Sequence, residues 1–172
     1  MKSKPTIAMT AALVAFAALW TIIASWAFAS IESDRDEIVA LNRNQLAAFD
    51  KKDLDKVMSY YVDDKDVVFY EDTTPFQLNG VDALRKLDQD FFDGATQIHT
   101  SMEEIAVVSS GDLAVARYTL LLDFKDKGVA HNQRGRFTQV LKKVNGRWLI
   151  WHEHLSVPYD PATGKAVLQA KG

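Results

Sequence analysis

A chain of 172 residues, 48% hydrophobic and 25% charged, has room for one domain of ordinary size and a globular composition. Its net charge of -3 and lack of any basic stripe give a nucleic-acid partner no electrostatic support. It has no cysteine, which excludes disulfides, thiolate chemistry and cysteine-ligated metals.

The N-terminus reads as an export element. Lys2 and Lys4 precede an uncharged run from Pro5 to Ile31, and Ala27-Phe28-Ala29 has the form of a cleavage site before Ser30. Acidic residues follow at once (Glu32, Asp34, Asp36, Glu37), which fits an N-in, C-out orientation. The apolar run exceeds the roughly 7–15 residues of a signal-peptide centre and reaches the roughly 20 that span a bilayer. Two outcomes stay open: residues 1–30 are a cleaved leader, or they stay as a membrane anchor through residues 5–31. On either one the domain that follows lies on the periplasmic or extracellular side.

A helix is expected from Ser33 to Phe49, with Ser33 as cap and Ile38, Leu41, Gln45, Ala48 and Phe49 at helical spacing. Asp53 caps a short second helix whose apolar face is Leu54, Val57, Met58 and Tyr61. Val67 to Tyr70 reads as a strand, Asn79-Gly80 as a turn, and Val81, Leu84, Leu87, Phe91 and Phe92 mark a third helix. Four long strands follow, over about Thr96–Val108, Leu113–Phe124, Val129–Val144 and Arg147–Val157. Ser109-Ser110-Gly111-Asp112, Asp126-Lys127-Gly128 and Asn145-Gly146 are the turns between them. Residues 161–172 read as a loose tail. Helices first and strands second make an α+β domain over residues 33–160.

Those strands are apolar at both parities, in Leu113-Ala114-Val115-Ala116, in Leu120-Leu121-Leu122 and from Trp148 to Trp151. A sheet with one wet face alternates. Both faces are therefore expected to be covered, one by the helices and the other by a second subunit. A homodimer through Leu120, Leu122, Leu149 and Trp151 is the simplest form, with the tail or the leader as the other possible cover.

The segments "AAFDKKDLDKVMSYYVDD", "DVVFYED" and "NGVDALRKLDQDFF", followed by "RGRFTQVLKKVNGRWLIWHEHLSVP", stand in an order that resembles the nuclear transport factor 2-like superfamily. The closing hairpin is similar to the R-x-T, N-G-x-W and H-x-H-x-S pattern of SnoaL-like proteins. It also resembles that of the calcium/calmodulin-dependent kinase II association domain, as does "AVARYT", whose arginine is Arg117 here. The resemblance implies a cone: a curved, mostly antiparallel sheet wrapped around three helices, with a pocket at its open end, assembling as dimers or larger oligomers.

Against ketosteroid isomerase, the resemblance places the general base at Asp72. It also places Gln45 where the oxyanion tyrosine would stand, and Thr138 or Val140 near the place of the second acid. Steroid isomerisation is therefore not expected. Against the association domain, the places of further pocket arginines hold Gln139 and Leu155, so the ligand does not carry over.

The residues themselves offer several sites. Asp72 beside Glu71 at a strand end can act as a base in an apolar pocket or be a solvated strand end. Strict alternation puts His152 and His154 on one face with Trp148, Ile150 and Ser156, as proton-transfer groups or hydrogen-bonded wall, and turns Glu153, Trp151 and Leu155 away. Two histidines are too few for a metal, and no motif asks for a cofactor. Arg117 lies in an apolar strand with Leu113, Val115 and Thr119 on its face, and Arg136 shares its face with Arg134 and Thr138. Looking into the cone, the two arginines would receive a carboxylate; otherwise they form internal ion pairs, with Asp72 or Glu153 for example. Tyr70, Trp148 and other aromatics supply pocket wall or core. Three functions stay open: a binding or accessory domain around Arg117, Arg136 and His152; an isomerase, dehydratase or cyclase using Asp72 or His152; and a structural subunit of a membrane assembly.

Overall fold

The computed structural model describes residues 32–65 and 67–169. The candidate leader therefore lies outside the described residues, and among the described ones no helix is long and apolar enough to cross a membrane. Helix α1 occupies residues 32–50, α2 Leu54–Met58 and α3 Val81–Gly94. The strands are β1 Val68–Tyr70, β2 Leu78–Asn79, β3 Ala95–Ser110, β4 Leu113–Asp126, β5 Val129–Val144 and β6 Arg147–Ser156. They form one six-stranded sheet in the order β2-β1-β6-β5-β4-β3, antiparallel except where β1 runs parallel to β6. The α+β order and the helices agree with the sequence reading. The two-residue β2, expected only as a turn, adds the far edge. Beyond residue 158 the chain forms a small hairpin of β7 Tyr159–Asp160 and β8 Lys165–Ala166, and Leu168 accepts a hydrogen bond from the Arg134 backbone N–H at 2.7 Å.

The inner face of β4 explains the cone. Ala114 and Ala116 are buried at one end of the strand. Their small side chains let the helices approach, and Ile38, Leu41, Val57, Phe69, Leu141 and Ile150 fill that end as one core. Further along, the same face carries Tyr118, Leu120, Leu122 and Phe124, which border open space rather than a helix. The wide end is thus held open by large side chains. Curvature comes from β3, whose pairing with β4 shifts at Thr96/His99 and again at Glu103/Ala106, with Gln97 and Glu104 at positive φ.

Polar clamps fix the helices. Asp34 at the start of α1 accepts from Lys143 Nζ at 2.6 Å and from Trp148 Nε1 at 3.1 Å. At the other end, Asp50 accepts from the Thr100 backbone N–H at 2.8 Å and from its hydroxyl at 2.6 Å. Asp53 caps α2 by accepting from the Lys56 N–H at 3.1 Å, and Lys52 Nζ donates to the Phe92 carbonyl at the close of α3 at 2.6 Å.

Candidate functional site: an acidic cavity in the cone

A cavity of about 450 Å³ opens between α1, α3 and the inner faces of β3 to β6, a size that suits a small organic molecule. Its apolar wall includes Leu46, Phe49, Leu87, Phe91, Leu120 and Phe137. Tyr118 stacks on Phe137 with ring centres 4.9 Å apart. At the mouth His131 stacks on Phe124 at 4.8 Å.

Within this apolar shell sits a set of acids. Glu153 on β6 is 3% exposed. Its two oxygens accept from the Tyr61 hydroxyl at 2.9 and 3.0 Å, and Gln139 Nε2 lies at 3.4 Å. Tyr61 in turn accepts from Gln45 Nε2 at 2.6 Å. Tyr61 is held in place because Val62 N–H and Ile150 N–H bond to Ile150 O and Tyr60 O, each at 2.8 Å, which stitches residues 60–62 to the edge of β6. Glu71 and Asp72 follow β1, and Asp88 comes from α3. Asp72 accepts a hydrogen bond from Gln133.

Burial shapes their protonation. It pushes the Glu71 carboxyl up to about 9, with the charges of Glu153, Asp88 and Asp72 adding to the effect. Asp88 rises to about 8, by burial and then by the charge of Glu153. Burial raises Glu153 only to about 7, because the bonds from Tyr61 and Gln139 favour its ionised form. Asp72 is raised by burial against the pull of Gln133. Tyr61 and Tyr118 lie well above the usual phenol range, through burial and then the charge of Glu153. At neutral pH the cavity therefore holds protonated donors (Glu71, Asp88, Tyr118) beside a carboxyl poised to gain or lose its proton. The Tyr118 hydroxyl is buried without a hydrogen-bond partner, and so is Glu71 Oε1.

The expected site residues divide between the two faces of the sheet. Gln45 and Asp72 line the cavity, and Trp148 is buried in the core below it. Arg117, Arg136, Thr138 and His154 are exposed on the outer face, where Arg117 pairs with Thr138, Thr138 with His154, and His154 with Tyr70 across four strands. Tyr70 sets its ring edge-on to His152 and His154 at 5.3 and 5.7 Å. His152 donates from Nδ1 to the Val68 carbonyl at 2.5 Å. Arg117 and His152 therefore do not border the cavity, and a carboxylate ligand there would lack its two arginines. The internal ion pairs of Arg117 with Asp72 or Glu153 do not form either.

The cause is a β-bulge. On β6, His152 pairs with Val140 and Ile150 with Leu141, so Trp151 is extra. Strict alternation fails there. Trp148 and Ile150 face inward, and beyond the bulge it is Glu153 and Leu155 that continue inward while His152 and His154 turn out. The shared face of Trp148 with the histidines is corrected accordingly. On β4 and β5 the grouping of side chains holds, but the face with Arg117 and Arg136 is the outer one. Leu120 and Leu122 belong to the cavity wall and so cannot form the expected outer interface.

Sequence reasoning missed Glu153, Glu71, Asp88, Tyr61 and Tyr118 as a group. Asp88 carried a signal: it sits four residues after Leu84 and three before Phe91, an acid inside an apolar helical stripe. Tyr118 shares its parity with Ala114 and Ala116, a grouping that does not by itself tell which side of the sheet is the inner one.

The fold is shared with several solved structures. An NTF2-like protein of unknown function from Pseudomonas putida is 24% identical, with a TM-score of 0.71 over 82% of this chain and 98% of that one. An NTF2-like superfamily protein from Salmonella enterica is 19% identical, with a TM-score of 0.69 over 79% of this chain and 99% of that one. A ketosteroid isomerase-like protein from Erwinia carotovora is 22% identical, with a TM-score of 0.60 over 70% of this chain and 93% of that one. No curated protein matches the chain in sequence. The SnoaL-like domain family matches residues 38–160, well over half of the chain, and it is to this family that the chain belongs.

Proposed function

We propose that the cone is an acid–base active site for a small, mostly apolar molecule, in a reaction of the isomerase, dehydratase or cyclase type whose barrier is a proton transfer. The observation that carries this is the presence, in one apolar cavity, of two carboxyls in different surroundings: Glu153, whose oxygens accept from Tyr61 and Gln139, and Glu71, whose buried Oε1 has no hydrogen-bond partner and whose carboxyl burial raises well above the usual range. Carboxyls whose environments drive them apart divide naturally into proton carrier and hydrogen-bond donor. Glu153 or Asp72 moves the proton, and Glu71 with Tyr118 stabilises the charge that develops on an oxygen. The ketosteroid isomerase-like neighbour agrees with this class of chemistry, but the donor set here is different: Gln45 Nε2 is spent on Tyr61.

The test is deuterium incorporation, followed by NMR, into small aryl ketones in heavy water. Exchange with the intact protein, lost by about 10²–10⁴-fold in Glu153→Gln, is expected. No exchange in any ketone would leave a binding domain without chemistry.

Two further parts of the reading concern assembly and place. A second copy covers the outer sheet face, where Val108, Val115 and Val140 form an exposed to half-buried apolar row. The domain works outside the cytoplasm, which N-terminal sequencing of native protein tests directly through cleavage after Ala29 or an intact leader.

A further inference from the structure

Six carboxyl groups border the cavity: Glu71, Asp72, Asp88, Asp90, Asp126 and Glu153. Among the described residues no lysine or arginine does. The one basic side chain in the wall is His131, at the mouth and stacked on Phe124. Asp90 is the only member of the set whose charge is met by a lysine, Lys86 at 2.8 Å, and that pair is exposed. A buried acid ordinarily finds a cation or a full set of donors. Glu153 has Tyr61 and Gln139, but Glu71 Oε1 and the Tyr118 hydroxyl, with Tyr118 only 4% exposed, have no partner at all. The protein thus gathers acid against acid and leaves the neutralising charge out.

We propose that the occupant of this cavity is an organic cation, a protonated amine carried on an aromatic or similar apolar body, with its nitrogen among Glu71, Asp88, Glu153 and the Tyr118 hydroxyl. The proposal rests on the reading of the cone as the ligand site and names the class of molecule that enters it. Three physical terms favour the cation. It lets the acids ionise together, which their proximity and burial oppose in its absence and which a carboxylate ligand would oppose further. It gains hydrogen bonds to charged acceptors, the stronger kind. And it enters an aromatic wall of Phe49, Phe91, Tyr118 and Phe137, and aromatic rings attract cations. Apart from His131 at the mouth, the described elements around the cavity offer no basic side chain: α1 contributes Gln45 and Leu46, α3 the two aspartates, β4 Asp126 and β5 Gln133.

The proton balance follows. An amine that stays charged across the pH range binds best when the carboxyls around it are ionised. Its entry therefore displaces protons from them into solvent, and its affinity rises as pH climbs through about 7, 8 and 9, where Glu153, Asp88 and Glu71 titrate.

The experiment is calorimetric titration of the full-length chain with three molecules of one shape: 3-phenylpropylamine, 3-phenylpropanol and 3-phenylpropionate. Two buffers of different ionisation enthalpy count the protons released. The amine is expected to bind about tenfold or more tighter than the alcohol, with the propionate undetected. Its affinity is expected to rise between mildly acidic and mildly alkaline pH with net proton release, and both the rise and the release should shrink in Glu71→Gln/Asp88→Asn. Alcohol binding as tight as the amine, or amine binding without pH dependence, overturns the cation. If that alcohol binding is lost in Leu120→Trp, which fills the cavity, the cone survives as the ligand site. Binding of none of the three overturns the cation and the ligand site together.

Discussion

The two faces of the central sheet are built from the same strands and alternate residue by residue, yet they differ in almost every chemical respect. The inner face of β4 to β6 carries Tyr118, Leu120, Phe137, Gln139 and Glu153, all buried. One residue away on the same strands, the outer face carries Arg117, Arg136, Thr138 and His154, all exposed. The acids with displaced titration belong to the inside, whereas the positive charges of the strand centres belong to the outside. Burial makes the difference. A carboxyl in the cone has lost its water and holds its proton to high pH, while a guanidinium on the outer face keeps its hydration and needs no partner. Chemistry in this molecule is therefore a matter of which face a residue is on, and one bulge at Trp151 decides that for the last strand.

The sharpest way to break the comparison is on neighbouring residues of β6. Glu153→Gln keeps the shape and the bond from Tyr61 but can neither take nor give a proton. It is expected to reduce turnover by about 10²–10⁴-fold with the fold intact by circular dichroism. His152→Gln, on the opposite face, is expected to leave turnover within about twofold. Equal losses in the two variants would end the assignment of chemistry to the inner face.

The second test is the pH dependence of stability. A carboxyl raised by folding binds its proton more tightly in the folded than in the unfolded chain. Its contribution is complete below the unfolded value, near 4, and is lost as pH climbs toward the folded one, about 9 for Glu71 and about 8 for Asp88. The domain is therefore expected to melt lower at pH ~9 than at pH ~5. Glu71→Gln and Asp88→Asn should each raise the alkaline melting temperature by several degrees and change the acidic one little. Melting curves that coincide across this range would mean that folding does not raise the carboxyls of Glu71 and Asp88.

This same division marks how far the sequence could be read. Helical spacing in Ile38, Leu41 and Gln45, and turn residues such as Asn145-Gly146, are local signals, and the elements they mark lie where expected. Asp72 and Gln45 reached the cavity through position in the fold. Facing is not local. Parity tells which residues share a side of a strand, but nothing in Arg117 or its neighbours tells which side the helices cover, because Leu113 and Val115 make the outer side as apolar as Ala114 and Ala116 make the inner one. The bulge adds a second failure. Trp148, Leu149, Ile150 and Trp151 look alike in both phases, so the extra residue leaves no mark, and Glu153 reads as facing away from the place where it acts.

A third test concerns what the outer face does instead. Val108 is 74% exposed and Val115 46%, side by side in the β3–β4 register. In a back-to-back dimer they would be buried, and a charge there would be costly. Val115→Asp is expected to weaken self-association by about tenfold or more, read by light scattering across a dilution series. Deuterium exchange in the cavity should be unchanged per chain. A parent protein that is monomeric at micromolar concentration would remove the second copy and leave the outer face wet.

The smallest expected effect comes from two adjacent residues of β5. Gly135 is buried and faces inward, and a Cβ built on it would lie 2.3 Å from Leu155 Cδ1. The obstacle is the end of a side chain rather than backbone, so Leu155 can swing away, and the open space beside it is the cavity itself. Gly135→Ala is therefore expected to cost about 1–3 kcal/mol, the range for overpacking that a rotamer change relieves, and to shrink the room for a ligand. Arg136→Ala, one residue on and exposed, should stay within about 0.5 kcal/mol, as surface changes usually do. Denaturant unfolding of the two variants measures the contrast directly. A Gly135→Ala protein as stable as the parent, with ligand binding undiminished, would show that Leu155 has a free alternative rotamer and that the β5–β6 wall of the cone is softer than its packing implies.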